Sequence, residues 1–108
     1  VVGGNYGWAL PPSNNTHYFN DWASANRFRI NDTLYFRYLK DSVMEVTADD
    51  YDRCRSAHPI FFSNNGNTTF DLDRPGLFYF ISGVSGHCSR GLKMIVKVLE
   101  APQSPPVP

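Results

Sequence analysis

This chain of 108 residues has two cysteines, no net charge and no long apolar run. Lys plus Arg number 10, as do Asp plus Glu, and the basic residues are scattered (Arg27, Arg29, Arg37, Lys40, Arg53, Arg55). That balance argues against a nucleic-acid surface, which shows as a clear basic excess. No apolar stretch approaches the roughly 20 residues that span a bilayer. The chain opens abruptly on Val1-Val2-Gly3-Gly4, which reads as a trimmed segment, so the lack of a targeting signal says little. There are no internal repeats, no nucleotide-binding glycine motif, no HExxH and no GxSxG. Asp71 and Asp73 share a facing and flank Leu72, but acids so placed near a turn are surface charges. The acidic run Asp49-Asp50-Tyr51-Asp52 reads as a solvated helical turn. No enzymatic activity is expected.

What is present suits one domain with one core. Three N-glycosylation sequons begin at Asn14, Asn31 and Asn67. With an even cysteine count and a Pro/Ser-rich tail, they favour a secreted glycoprotein. In an oxidising compartment Cys54 and Cys88 pair, and closing a loop of about 35 residues stabilises by roughly 4 kcal/mol. The competing reading makes Cys88, beside His87, a thiolate nucleophile or metal ligand, and leaves Cys54 as an unexplained free thiol.

Short strands between turn residues argue for an all-β sandwich or barrel. Leu34, Phe36 and Tyr38 alternate with Tyr35 and Arg37, the pattern of a half-buried strand. Ser42–Val46 reads as a second such strand, with Val43 and Val46 inward. Thr47 to Arg53 reads as a helix, capped by Thr47 and carrying acids in its first turns. Thr68–Leu72, Leu77–Ile81 and Lys93–Val98 follow as strands, the last burying Met94, Val96 and Val98. The aromatics, 15% of the chain, are mostly core. Residues 1–100 form the domain. The segment 101–108, with four prolines in eight residues, reads as extended and polyproline-like, the start of a Pro/Ser-rich stalk.

The most specific chemistry lies in Ser82, His87 and Leu92. Their five-residue steps are those of a blue-copper ligand loop, which supplies a thiolate, an imidazole and a weak axial group, with a second imidazole from a distant strand. Serine cannot form the copper–thiolate bond, and leucine has no lone pair. His17 and His58 are the other histidines, and nothing assures either as the second imidazole.

Val2-Gly3-Gly4 with Gly7-Trp8, Trp22-Ala23, Phe28 and Asp32-Thr33-Leu34 resemble the phytocyanins, plant cupredoxin domains of about this length. Lys40–Val46, Phe78–Gly83, His87-Cys88 and Gly91-Leu92-Lys93 resemble the early nodulin-like branch of that family. The resemblance runs from residue 1 to about residue 100. It implies a cupredoxin-like Greek-key β-sandwich of seven or eight strands with one short helix. It places the family's copper ligands at Asp41, Ser82, His87 and Leu92, so that only His87 is retained, and its disulfide at Cys54 and Cys88. No cofactor and no specific metal are expected. The function implied is a copper-free cell-surface module that binds a cell-wall glycan or an extracellular protein such as a receptor ectodomain, in carbohydrate binding, transport or receptor-associated signalling. By the same resemblance the protein is an arabinogalactan-type monomer, held at the outer face of the plasma membrane by a GPI anchor beyond this segment. The alternative, a blue-copper electron carrier, needs copper at those four positions.

Overall fold

A computed structural model of the chain describes residues 1–12 and 15–100. Asn14 and the stalk segment 101–108 lie outside the described residues. Among the described residues seven strands run in the order β1 (Phe28–Arg29), β2 (Thr33–Arg37), β3 (Val43–Val46), β4 (Phe61–Ser63), β5 (Asn67–Asp71), β6 (Gly76–Ile81) and β7 (Lys93–Leu99). They form a five-stranded sheet, ordered β1-β7-β6-β3-β4, and a two-stranded sheet, β2-β5. All pairings are antiparallel except β1 with β7. The amino-terminal segment runs beside β2, with Val2 N donating to Tyr35 O and Trp8 N to Arg37 O, both at 2.8 Å. Gly7 permits that approach, because a Cβ there would sit 2.8 Å from Arg37 O.

The expected alternation holds where one face of a strand is solvated. Leu34 and Phe36 of β2 are buried between exposed neighbours, as are Met94, Val96 and Val98 of β7 between more accessible ones. They join Trp8, Phe19, Phe78 and Phe80 in the main core. The Trp8 ring meets its neighbours at an angle, Phe19 at 4.9 Å and Phe36 at 5.2 Å between centroids. Burying each such ring stabilises by roughly 1.5–3 kcal/mol. Phe62 departs from the core expectation and is half exposed on β4.

β3 also departs from simple alternation, because it is buried along its whole length. Val43 enters the main core, whereas Val46 and Met44 enter a second cluster with Tyr51, Ile81 and Cys88. The helix that supplies Tyr51, α2 (Ala48–Arg53), is the one expected, and Thr47 caps it by accepting from Asp50 N at 3.2 Å. A further helix, α1 (Tyr18–Ser24), buries Phe19 and Ala23 and packs on β7. Asn20 anchors it by accepting from Ile95 N at 2.9 Å. Asp71 and Asp73 form no acid pair: Asp71 accepts from Thr33 Oγ1, and Asp73 faces Arg74. Among the described residues no helix is long and apolar enough to cross a membrane.

Candidate functional site

The chain leaves β6 at Ile81, turns through residues 82–92 and enters β7 at Lys93. Backbone bonds close this loop, His87 N to Val84 O, Gly91 N to Cys88 O and Leu92 N to His87 O, each at 3.0 Å. Gly83 lets it close onto β3, since a Cβ there would lie 2.4 Å from Met44 Cε and 2.9 Å from Ser42 Oγ. Cys54, at the carboxyl-terminal cap of α2, is disulfide-bonded to Cys88, 34 residues on. The pairing is therefore structural, and the thiolate reading of Cys88 falls, because no free cysteine exists.

Three of the four positions assigned to copper ligands meet here. Asp41 is the centre. Its Oδ1 accepts from Ser82 Oγ at 2.5 Å and from Ser42 N at 2.7 Å, and its Oδ2 lies 2.7 Å from His87 Nδ1. A carboxylate only accepts, so Nδ1 carries the proton and donates. Ser82 Oγ also accepts from Val84 N, and Ser42 Oγ from Gly83 N. The side chain of Asp41 is 6% exposed and that of His87 23%. Leu92, the fourth position, is fully buried in the main core and is tied to the others through its backbone, its O accepting from Ser82 N and its N donating to His87 O. Ser42 is the member that the sequence did not flag. Its neighbour Asp41 is the signal, since a short acid commonly bonds the backbone beside it.

This donor set does not suit a blue-copper centre. The soft thiolate is absent, because both cysteines are consumed in the disulfide. Both oxygens of Asp41 already face protein donors, and Leu92 offers no lone pair. No group of three or more His, Cys, Asp or Glu side chains among the described residues is placed to hold a metal ion. The residue types also fail as a nucleophile triad. Ser82 Oγ donates to Asp41 rather than to the imidazole, and His87 Nδ1 is turned to the same carboxylate, so the nucleophile–imidazole contact of a Ser-His-Asp triad is not made.

A model of the plastocyanin-like domain matches residues 8–92. The chain is 57% identical to early nodulin-like protein 6 of Arabidopsis thaliana over 97% of its length, and 57% identical to early nodulin-like protein 5 over 95%. The chain belongs to the phytocyanin family, in its early nodulin-like branch. Cucumber stellacyanin, a Cu2+ protein, superposes with a TM-score of 0.82 at 31% identity, covering 94% of each chain. Cucumber basic protein, a blue copper protein, does so at 0.79 and 30%, covering 92% of this phytocyanin and 97% of its own chain. The fold is therefore cupredoxin-like. None of these relatives carries the name of an enzyme. The chain spans 62% and 55% of the length of the two Arabidopsis proteins.

The remaining expected positions are dispersed. Asn31 and Asn67 are exposed, one before β2 and one as the first residue of β5, so both sequons lie at the two-stranded sheet. His58 is exposed on the connection to β4. His17 lies instead at a cleft of about 520 Å³ beside the disulfide, together with Tyr51 and Lys93. Burial pushes the Tyr51 hydroxyl above its ordinary range, opposed by the hydrogen bond from Asn20. Burial also holds the Lys93 ammonium below the usual lysine range, opposed by the charge of Asp52.

Proposed function

We propose that this phytocyanin is a copper-free binding module at the plant cell surface, recognising an extracellular glycan or a protein such as a receptor ectodomain. The observation that carries this reading is the closure of the ligand positions on one another. Asp41 answers Ser82, Ser42 and His87 with its own oxygens, and an ion entering there would have to displace all three donors. What the loop offers outward is a shaped, polar surface pinned by the Cys54–Cys88 disulfide. A second hollow of about 340 Å³, lined by Ser56, Ser82, Ser85 and Ser89, meets the same disulfide. Hydroxyl-rich hollows of this kind suit partners that exchange hydrogen bonds rather than electrons.

The disulfide favours an oxidising compartment. The exposure of Asn31 and Asn67 favours N-glycans on the β2-β5 sheet, with a third at Asn14. In this reading the Pro/Ser-rich segment 101–108 begins a stalk, and a GPI anchor holds the protein at the outer face of the plasma membrane as a monomer. The direct test presents the glycosylated domain to a plant glycan array and to purified receptor ectodomains. Saturable binding to either supports the module. Failure of both leaves a structural spacer as the better account.

A further inference from the structure

The geometry points to the cleft beside the disulfide as a saccharide subsite in which Lys93 takes the carboxylate of a uronic acid residue. This inference rests on the glycan-binding reading above and narrows it to one cleft and one ligand chemistry. The cleft is walled by α1, α2 and the start of β7. Its volume, about 520 Å³, falls in the range of small-molecule sites, about 300–1,000 Å³.

Lys93 is the reason for an anion. Its Nζ donates to Tyr51 O at 2.9 Å and lies 4.0 Å from both the Tyr51 ring centroid and Cys54 Sγ. An ammonium has three donors, and a carbonyl takes one of them. No ion pair of Lys93 exists among the described residues, whose bridges join Arg53 to Asp49, Arg74 to Glu45 and Asp73, and His87 to Asp41. A partly desolvated cation beside a cavity, with no ion pair of its own and only the more distant charge of Asp52 to offset it, gains from an incoming anion.

The surroundings select the kind of anion. Asp52 lines the same cleft and repels a compact, highly charged ligand such as phosphate, while the other cation of the lining, Arg53, is paired with Asp49 at 3.2 Å. A carboxylate on a neutral hydroxylated ring avoids that conflict. Its charge meets Lys93 while its hydroxyls donate to Asp52 and pair with Thr16, His17 and Ser89. The opening depends on Gly91, where a Cβ would lie 2.7 Å from Thr16 Cα in a backbone of φ +107°. Lys93 also has a structural use, since Tyr51 O belongs to the last turn of α2, where a cation is favoured. The test therefore separates ligand binding from helix capping.

Isotope-labelled protein is titrated with trigalacturonate and, separately, with neutral galactotriose, and amide shifts are followed by NMR. The expected result is saturable shifts at Asn20, Tyr51–Cys54 and Gly91–Lys93 with the acidic sugar, weaker at high salt, and little change with the neutral one. Lys93→Met is expected to weaken trigalacturonate binding about ten-fold, or about 1.4 kcal/mol, and Lys93→Arg to retain it. If Lys93→Met fails to fold, the salt dependence and the Lys93→Arg titration carry the test. A Lys93→Met protein that melts lower yet binds unchanged assigns Lys93 to capping and overturns the inference. So do shifts confined to another face, or equal shifts with both sugars. If trigalacturonate fails while another glycan or an ectodomain binds, the uronate subsite falls and the module reading stands. If nothing binds, both fall.

Discussion

Replacing Asp41 with alanine removes the acceptor that holds Ser42, Ser82 and His87 together. Hydrogen bonds to a charged group contribute about 1.5–3 kcal/mol each, and bonds that share one group do not add. His87 is partly exposed and turns its freed donor to water, whereas Ser82 and Ser42 are buried and reach water poorly. The loss expected for Asp41→Ala is therefore about 2–4 kcal/mol. At about 5 °C per kcal/mol for a domain near this size, the melting temperature falls by about 10–20 °C. Asp41→Asn behaves differently. Its carbonyl oxygen still accepts from Ser42 and Ser82, and its amide donates to His87 Nδ1, which accepts once the imidazole proton moves to Nε2. That variant costs about 1 kcal/mol and switches the His87 tautomer. Denaturant unfolding reads the first quantity, and long-range 15N–1H spectra of the imidazole read the second. An Asp41→Ala protein within about 0.5 kcal/mol of wild type would refute the reasoning, because surface substitutions change stability by no more than that. So would an imidazole that keeps its Nδ1 proton in Asp41→Asn.

Two other perturbations follow from the same structure. Replacing Cys54 and Cys88 together with serine opens a span of 34 residues, and the expected loss is about 4 kcal/mol in denaturant unfolding; a loss below about 1 kcal/mol would show that hydrogen bonds alone hold the loop. The Tyr51 hydroxyl is raised above 10.0 chiefly by burial, so between the unfolded and folded values the folded state keeps a proton that the unfolded state releases. Its contribution therefore makes stability fall as pH rises from about 10 upward, while Lys93, lowered from 10.5 by burial, contributes a rise with pH just below its ordinary value. Unfolding of wild type and Tyr51→Phe across the alkaline range isolates the Tyr51 part: wild type is expected to lose more stability above about pH 10, and parallel curves would contradict the assignment.

Much of the fold was legible because its strands bury one face. Leu34 and Phe36, then Met94, Val96 and Val98, alternate as their faces do. Thr47 is a cap in the sequence and in the structure. β3 was less legible, because its second face is also buried, Met44 and Val46 joining Tyr51, Ile81 and Cys88 in the smaller cluster, so the polar half of the pattern is missing. α1 was hidden by its start, since His17 makes no side-chain cap. The spacing of Phe19, Trp22 and Ala23 carried a helical signal, but on seven residues it is slight. At the site, the resemblance assigned Asp41, Ser82 and His87 to one place. It did not reveal that they bond to one another, because those contacts join residues 41 and 46 apart and depend on how tightly Gly83 closes onto Ser42. The cleft at Lys93 left no mark at all, since α1, α2 and β7 meet there only in three dimensions.

The claim that the ligand positions have become a self-satisfied polar cluster is tested most directly with copper itself. The glycosylated domain is mixed with Cu(II), dialysed, and measured for bound metal and for the absorbance of a copper–thiolate bond. A triple variant, Asp41→His, Ser82→Cys and Leu92→Met, serves as the positive control on the same scaffold. No stoichiometric copper and no blue band are expected in the natural sequence, with both appearing in the triple variant. One tightly retained copper per chain with a blue band in the natural sequence would contradict the claim.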